Sequence, residues 1–391
     1  MDPRYLVVAG AWATQFTVIG LMFTFGLLFG VFEEEFGWPR SVLSEATALA
    51  FFMMGVLAMV AGRVADRWGP RAVLACSGLL FGAGYMLIAT VTAPWQLMLL
   101  FGTLIALGMS THDVVTLSLI TRWFGKRRGI MTAVVKVGTA CGQFSLPPLA
   151  AWLILDLGWK TSMAVIGAGA AGVLLVAALL TRPPPKPDGP GGPQEAATGL
   201  SFQQARRSAV FWRICIIQFM FFSSLMTVPV HIVPHGMDLG VELGTAATLL
   251  SVMAAASVAG RLTVGVFVDR VGGRLGYVLC FVPLILSIAT LLWVSAPWAL
   301  FAVIAVYGFA HGGFFTVVAP TVAEFFGLRA HGTIFGVVLF SGTIGGAIGP
   351  ILAGRMFDSL GTYNPAFLTL AVMGCLGLAI ALTLPRPQLQ S

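Results

Sequence analysis

Charge is scarce in this chain. Asp, Glu, Lys and Arg make up 9% of its 391 residues, against about 25% in a soluble globular domain. A chain so poor in charge cannot cover a water-facing surface. With 58% hydrophobic residues and a mean hydropathy of +0.93, its solvent is lipid. Cysteine is sparse too: Cys76, Cys141, Cys215, Cys280 and Cys375 stand singly in apolar stretches. None has a partner at metal-ligand or redox spacing, so they read as small packing residues. The HExxH and GxSxG motifs and the P-loop are also absent. These absences argue against a zinc protease, a serine hydrolase and ATP as an energy source. The net charge of +7 does not imply nucleic acid, because most basic residues fall in alternate loops.

What is present is a series of twelve apolar segments, near residues 5–32, 41–62, 72–92, 94–121, 129–154, 160–180, 211–234, 244–267, 275–294, 297–325, 332–356 and 364–384. A spanning helix needs roughly 20 apolar residues, so these account for nearly the whole length. The first is longer than a signal-peptide core and lacks a clear cleavage site, so it reads as a span. With the N-terminus inside, 17 Lys and Arg residues lie on the cytoplasmic side and only Arg40, Lys160 and Arg355 outside. That asymmetry puts both termini in the cytoplasm. Glycine is abundant, 47 in all, which suits helices packed closely in a membrane.

The segments divide six and six around Thr181–Ala209, where the run PPPKPDGPGGP forbids a continuous helix and reads as a linker. Its end, LSFQQARRSAVFWR, is basic and amphipathic, and either lies on the inner membrane surface or is a plain solvated loop. The domains are therefore 1–180, a linker at 181–209, and 210–391. The halves repeat: Gly62-Arg63-Val64-Ala65-Asp66-Arg67-Trp68-Gly69 matches Gly265-Val266-Phe267-Val268-Asp269-Arg270-Val271-Gly272 at an offset of 203, which also sets Pro147 on Pro350. Repeated halves with a site between them are how many secondary transporters are built.

The G-x-x-x-D-R-x-G pattern after spans 2 and 8 resembles the cytoplasmic loop signature of the major facilitator superfamily. Between spans 4 and 5, Trp123-Phe124-Gly125-Lys126-Arg127-Arg128, continuing to Ala133 and Gly138, is similar to the fifth-helix signature of the monocarboxylate transporter family. Trp123 replaces the usual Tyr, and Met131, Val135 and Val137 stand where small residues are usual. The acidic, Gly-rich opening of span 1 is absent, and Gly10-Ala11-Trp12 is a poor echo of it. The resemblance is therefore to a bacterial-type member or to the related oxalate/formate exchangers. It implies an all-α membrane protein of twelve helices in two pseudo-symmetric six-helix bundles.

Arg261, deep in span 8, is the leading candidate for substrate binding. A charge there costs at least about 2.5 kcal/mol on insertion scales, and a guanidinium makes paired hydrogen bonds with a carboxylate. The resemblance implies the same role, since the family carries a carboxylate-binding Arg on this helix. The alternative is an Arg that snorkels or pairs at a gate. Where the family often has an Asp one turn earlier, this chain has Ser257. The family's span 1 Lys falls near Leu27. Both proton-linked charges are thus missing. Span 4 offers substitutes in His112 and Asp113, either of which can take a proton in a buried site. Asp113 alternatively pairs with Lys136, which lies at similar depth in span 5. His112 either lines a cavity or is a hydrogen-bonded packing residue, and the same choice applies to His311 in span 10. Phe23, Thr316 and Phe340 are candidate cavity walls by depth and family position. Asp66 and Asp269 are expected to close the cytoplasmic side against basic residues or helix N-termini of the other half, with Arg122, Arg128 and Glu324 as gate candidates. His231 and His235 are four apart, but Pro234 is expected to interrupt the helix between them, so an outer gate or membrane interface is expected rather than a metal site.

Two cations and one anion, Arg261, Lys136 and Asp113, leave one net positive charge in the interior, which favours a monoanion over oxalate. The expected function is proton symport of small monocarboxylates such as L-lactate and pyruvate, with no cofactor, the proton as coupling ion, a monomeric carrier and a bacterial inner membrane as its place. The rivals are an oxalate/formate-type anion exchanger and a transporter-shaped nutrient sensor, which the short central loop disfavours.

Overall fold

The computed structural model of the chain describes residues 2–38, 40–183, 199–294 and 296–385. The Pro-rich run expected as a linker falls mostly at 184–198, outside the described residues. Backbone polar groups in lipid must be satisfied within their own segment, which helices alone achieve without a closed barrel. The secondary-structure elements are accordingly helical. Pro3–Thr24 (α1) passes through a 3₁₀ turn at Phe25–Leu27 into Leu28–Phe36 (α2), followed by Arg40–Trp68 (α3) and Pro70–Ile88 (α4). Pro94–Leu100 (α5) runs through a π turn at Phe101–Ile105 into Ala106–Trp123 (α6), then come Arg128–Leu157 (α7) and Trp159–Leu180 (α8). After the short Phe202–Ala205 (α9) come Ala209–Asp238 (α10), Leu243–Val271 (α11), Gly273–Leu291 (α12), Pro297–Phe326 (α13), His331–Leu360 (α14) and Asn364–Leu382 (α15).

Twelve stretches among the described residues are long and apolar enough to cross a membrane, and the chain is a multi-pass integral membrane protein. Several helices overrun their apolar segments. The second segment was expected to end at 62, but α3 continues to Trp68. The eighth was expected to end at 267, but α11 continues to Val271. A helix keeps its backbone hydrogen bonds past the apolar limit, so Arg63, Asp66 and Arg67 extend it. What stops these two helices is Gly69 (φ 88°) and Gly272 (φ 82°), 203 residues apart and both in the left-handed region open to glycine. Phe144 and Leu155 on α7 are 84% and 87% exposed, which suits contact with lipid tails rather than water.

The chain forms two compact units. Unit 1 comprises Met1–Gly125, Val134–Gly199 and Leu328–Gly336. Unit 2 comprises Lys126–Ala133, Leu200–Gly327 and Val337–Ser391. Set beside a division at 180 and 210, two short pieces change sides: 126–133 goes with unit 2, and 328–336 with unit 1. The core of unit 1 holds Phe25 on Phe101, with ring centroids 4.2 Å apart, and Phe32 on Trp159 at 5.0 Å. Glu35 at the end of α2 ties to α8 by accepting from Trp159 Nε1 and, at 2.8 Å, from Lys160 Nζ.

In unit 2, Phe221 of α10 stacks on Phe314 of α13, and Tyr307 OH donates to Ser224 O at 3.0 Å. Helices α11 and α13 pack backbone to backbone. A Cβ added at Gly312 would stand 1.9 Å from Ser257 O, and one at Gly260 would stand 2.0 Å from Phe309 O. Lipid tails are as apolar as the helices, so close van der Waals approach through small residues supplies the association. The contact also sets register. Ser257 lies opposite Gly312, so one turn further along both helices Arg261 lies level with Thr316.

Candidate functional site

Arg261 is almost fully buried in unit 2, and the α11–α13 contact holds it there. Its Nη1 donates to Ser257 Oγ, one turn earlier, at 3.2 Å. Its guanidinium lies over the ring of Phe315 on α13, 5.9 Å from the centroid, a cation–π distance. Phe222 of α10 meets Phe315 edge-on at 5.8 Å, and His311 meets it at 5.4 Å. A guanidinium framed by a hydroxyl and aromatic rings can grip a small carboxylate bidentately while the rings take an apolar tail. Thr316 is buried, with no hydrogen-bond partner for its hydroxyl. His311 and Phe340 are half-buried in unit 2.

Unit 1 holds a second polar cluster. Lys136 Nζ of α7 donates to Asp113 Oδ1 of α6 at 2.7 Å. Gln15 of α1 donates from Nε2 to the same oxygen at 2.8 Å and to His112 O at 2.9 Å. His112 Nε2 stands 3.5 Å from Asp113 Oδ2. The other ring nitrogen, Nδ1, contacts Met109 O. A carbonyl only accepts, so Nδ1 carries the hydrogen and Nε2 of the neutral ring is the acceptor. Gln15 is a residue of this cluster that no sequence motif singles out. The signal was an amide in the middle of an apolar run. Phe23, near the end of α1, and Leu27, the last residue of the 3₁₀ turn, have exposed side chains, while Phe25 between them is buried.

The repeated aspartates sit in the last turns of α3 and α11. In unit 1, Asp66 Oδ2 accepts from the N–H and hydroxyl of Thr333 at 3.1 and 3.2 Å, and its other oxygen pairs with Arg122. His331 Nδ1 meets Ser118 Oγ at 2.8 Å beside this clasp. In unit 2, Asp269 accepts from Gly129 N at 2.6 Å and from Ile130 N at 2.9 Å. Each aspartate therefore caps the first turn of a helix, α14 or α7, where unsatisfied N–H groups and the helix dipole favour a negative charge. Arg128 is the first residue of that α7 turn. Glu324 Oε2 accepts from Gly273 N at 2.7 Å and so caps α12. Among the gate candidates, the structure brings Asp66 together with Arg122 and sets Glu324 on a different helix start. His231 bridges Tyr363 OH and Pro350 O at 3.2 and 3.1 Å, and His235 meets Phe367 edge-on.

Comparison with known proteins agrees with this architecture. The sequence matches the Major Facilitator Superfamily over residues 11–263 and 236–391. It is 27% identical to monocarboxylate transporter 13 of Bos taurus over 98% of this chain and 89% of that protein. It is 26% identical to human monocarboxylate transporter 11, covering 98% and 83%, and 26% identical to the uncharacterized MFS-type transporter YhjX of Escherichia coli, covering 88% and 85%. Among solved structures it resembles the transporter FucP in its outward conformation, with TM-score 0.76, 14% identity and coverage of 97% and 98%. It also resembles the human organic anion transporter MFSD10, with TM-score 0.76, 16% identity and coverage of 97% and 100%. The chain belongs to the Major Facilitator Superfamily and is related, at low identity, to the monocarboxylate transporters.

Proposed function

We propose that this protein carries small monocarboxylates, L-lactate and pyruvate among them, across a plasma membrane by proton symport with alternating access. The observation that carries the reading is Arg261: a buried guanidinium framed by Ser257 Oγ and the Phe315 ring, in a chain whose relatives include proteins named monocarboxylate transporters. The carboxylate binds Arg261, and the rings of Phe315 and Phe222 hold the short carbon tail. The basic ends of the helices face the cytoplasm.

The family's usual proton-linked charges are missing, and the unit 1 cluster takes their place. Lys136 and Gln15 both hold Asp113 Oδ1, leaving Oδ2 turned to His112 Nε2. A proton loads on Nε2, where Asp113 stabilises the imidazolium, and leaves with the anion. Release to the cytoplasm requires the Asp66 and Asp269 caps to break and re-form during each cycle.

Uptake of labelled L-lactate into proteoliposomes tests this reading, with an imposed proton gradient and then a protonophore. Accumulation that the protonophore abolishes supports symport. Exchange with preloaded anion and no net uptake identifies an anion exchanger. His112→Gln separates the two parts of the proposal: it removes gradient-driven accumulation and leaves lactate–lactate exchange in place.

A further inference from the structure

The chain from Leu200 to Arg213 enters unit 2 as a tightly held turn. Leu200 N donates to Phe326 O at 2.9 Å, which ties the segment to the end of α13. Gln204 Oε1 accepts from Ser201 N at 2.9 Å and Ser201 Oγ accepts from Gln204 N at 3.3 Å, a reciprocal cap on α9. The Phe211 ring is buried and meets Phe202 and Phe326 edge-on, with centroids 6.1 and 6.2 Å away. Trp212 turns outward instead, and its Nε1 donates back to Arg206 O at 2.9 Å. The indole is therefore fixed against the turn that carries Arg206 and Arg207.

Arg206 and Arg207 are exposed, and among the described residues neither guanidinium has an acidic or hydrogen-bonding partner. Leu200–Arg213 contains no Asp or Glu. Arg213 donates from Nη1 to Thr383 O at 3.0 Å, at the end of α15, which uses one of the several N–H donors of its fork. The apolar span of α10 begins at Ala209, so Arg206 and Arg207 fall just outside it. Ala209, Trp212 and Ile216 share one face of that helix by their spacing, and all three are exposed, Trp212 by 56% and Ile216 by 40%. Such a face suits lipid tails, and a Trp at the end of a span suits the membrane–water boundary.

We propose that this end of unit 2 binds one acidic phospholipid, with Arg206, Arg207 and Arg213 on its headgroup phosphate and an acyl chain along Trp212 and Ile216. A guanidinium pairs bidentately with phosphate. Basic residues collect on the cytoplasmic side of a membrane, where the negative leaflet attracts them. A choline headgroup brings its own cation and offsets its phosphate, whereas a glycerol headgroup leaves the negative charge to the arginines. The apolar face that continues from the arginines selects a lipid over a soluble phosphate. The Trp212 clasp sets the site apart from general surface charge. In unit 1, Arg67 and Arg71 are also exposed beside an exposed Trp, but Trp68 makes no such hydrogen bond among the described residues.

The test titrates the full-length protein in detergent with phosphatidylglycerol and with phosphatidylcholine, and reads bound lipid by native mass spectrometry. The native protein is expected to hold one phosphatidylglycerol about tenfold or more tightly than phosphatidylcholine. Arg206→Gln with Arg207→Gln is expected to remove most of that preference. Arg67→Gln with Arg71→Gln takes away the same charge and is expected to keep it. Equal binding of the two lipids by the native protein overturns the inference. So does an equal loss of preference in both double variants, which reduces the effect to net charge. Glycerol 3-phosphate, which has the phosphate and no acyl chain, is expected to leave the bound lipid in place; its displacing the lipid at equal concentration marks a soluble-anion site and overturns the lipid assignment. If Arg206→Gln with Arg207→Gln does not fold, Trp212→Phe decides, since it keeps a ring and loses the N–H donated to Arg206 O: a reduced preference supports the inference and a native preference overturns it.

Discussion

Asp66 caps the backbone N–H of Thr333 at 3.1 Å, and the internal repeat reproduces that contact. Adding 203 to Asp66 gives Asp269, and subtracting 203 from Thr333 gives Ile130, whose N–H donates to Asp269 at 2.9 Å. Glycines repeat the relation. A Cβ at Gly62 would stand 2.1 Å from Gly332 O, and one at Gly129 would stand 2.2 Å from Gly265 O. The symmetry is incomplete: Asp66 accepts from the Thr333 hydroxyl at 3.2 Å, and Ile130 has no hydroxyl to match it. Asp66 also pairs with Arg122, whose counterpart 203 residues on is Phe325.

That asymmetry sets the first prediction. Losing a helix cap costs about 1 kcal/mol, and a partly buried Arg left without its carboxylate adds about 1–3 kcal/mol. Asp66→Ala should therefore lower the melting temperature more than Asp269→Ala. Adding Arg122→Leu to Asp66→Ala should recover part of the difference. Both Asp variants should change the maximal uptake rate while leaving the order of preference among substrates intact. Thermal unfolding in detergent and uptake kinetics read these effects.

The buried pair of Lys136 and Asp113 gives the second. Removing one partner of a buried ion pair costs about 3–5 kcal/mol, because the other charge stays behind, whereas replacing both by apolar groups of similar volume is often close to neutral. Lys136→Met should be severely destabilising, and Lys136→Met with Asp113→Leu markedly less so. A double-mutant cycle in melting temperature checks it. Gln15→Leu should fall between native and Lys136→Met, since it removes one donor to Asp113 and leaves the ammonium.

Much of this was legible in the sequence. Charge scarcity and apolar runs specify twelve spans, and the GxxxDRxG repeat marks where two of them stop. The level of Lys136 with Asp113 follows from counting residues back from their shared loop. Gln15 and Phe315 were harder to read. Helical periodicity in lipid does not tell an inward face from an outward one, because both are apolar. With 29 phenylalanines in the chain, nothing local marks Phe315 as the ring beside Arg261. The pairing of α11 with α13 decides it, and that pairing is a property of the fold. The caps of α7 and α14 likewise depend on helices far apart in the sequence.

Glycine packing beside Arg261 gives a third prediction. A Cβ at Gly312 would meet Ser257 O at 1.9 Å, a backbone atom with no freedom to turn away, whereas one at Gly172 meets nothing within 4 Å. Gly312→Ala should force α11 from α13, cost at least about 1–3 kcal/mol as overpacking does, and impair uptake through displacement of Ser257 and Arg261. Gly172→Ala should leave melting temperature and uptake near native.

A fourth concerns Glu35. Hydrogen bonds from Lys160 and then Trp159 hold its carboxyl below the usual carboxylate range. A group whose pKa falls on folding contributes stability above its unfolded pKa, and that contribution is lost as pH falls through the lowered folded value. Glu35→Gln should therefore reduce the melting temperature slightly at neutral pH, with the difference vanishing once the medium is acid enough to protonate Glu35. Melting curves across that range follow it.

Arg261 carries the account, and proteoliposome uptake of L-lactate with an inward proton gradient tests it most directly. Native protein should accumulate lactate until a protonophore is added. Arg261→Ala should lower kcat/KM by about a hundredfold or more, as truncating a buried hydrogen-bonded charge does. Arg261→Lys should recover only part of the loss, because a single ammonium lacks the planar fork of the guanidinium. Native-like lactate uptake by a folded Arg261→Ala protein would contradict the account.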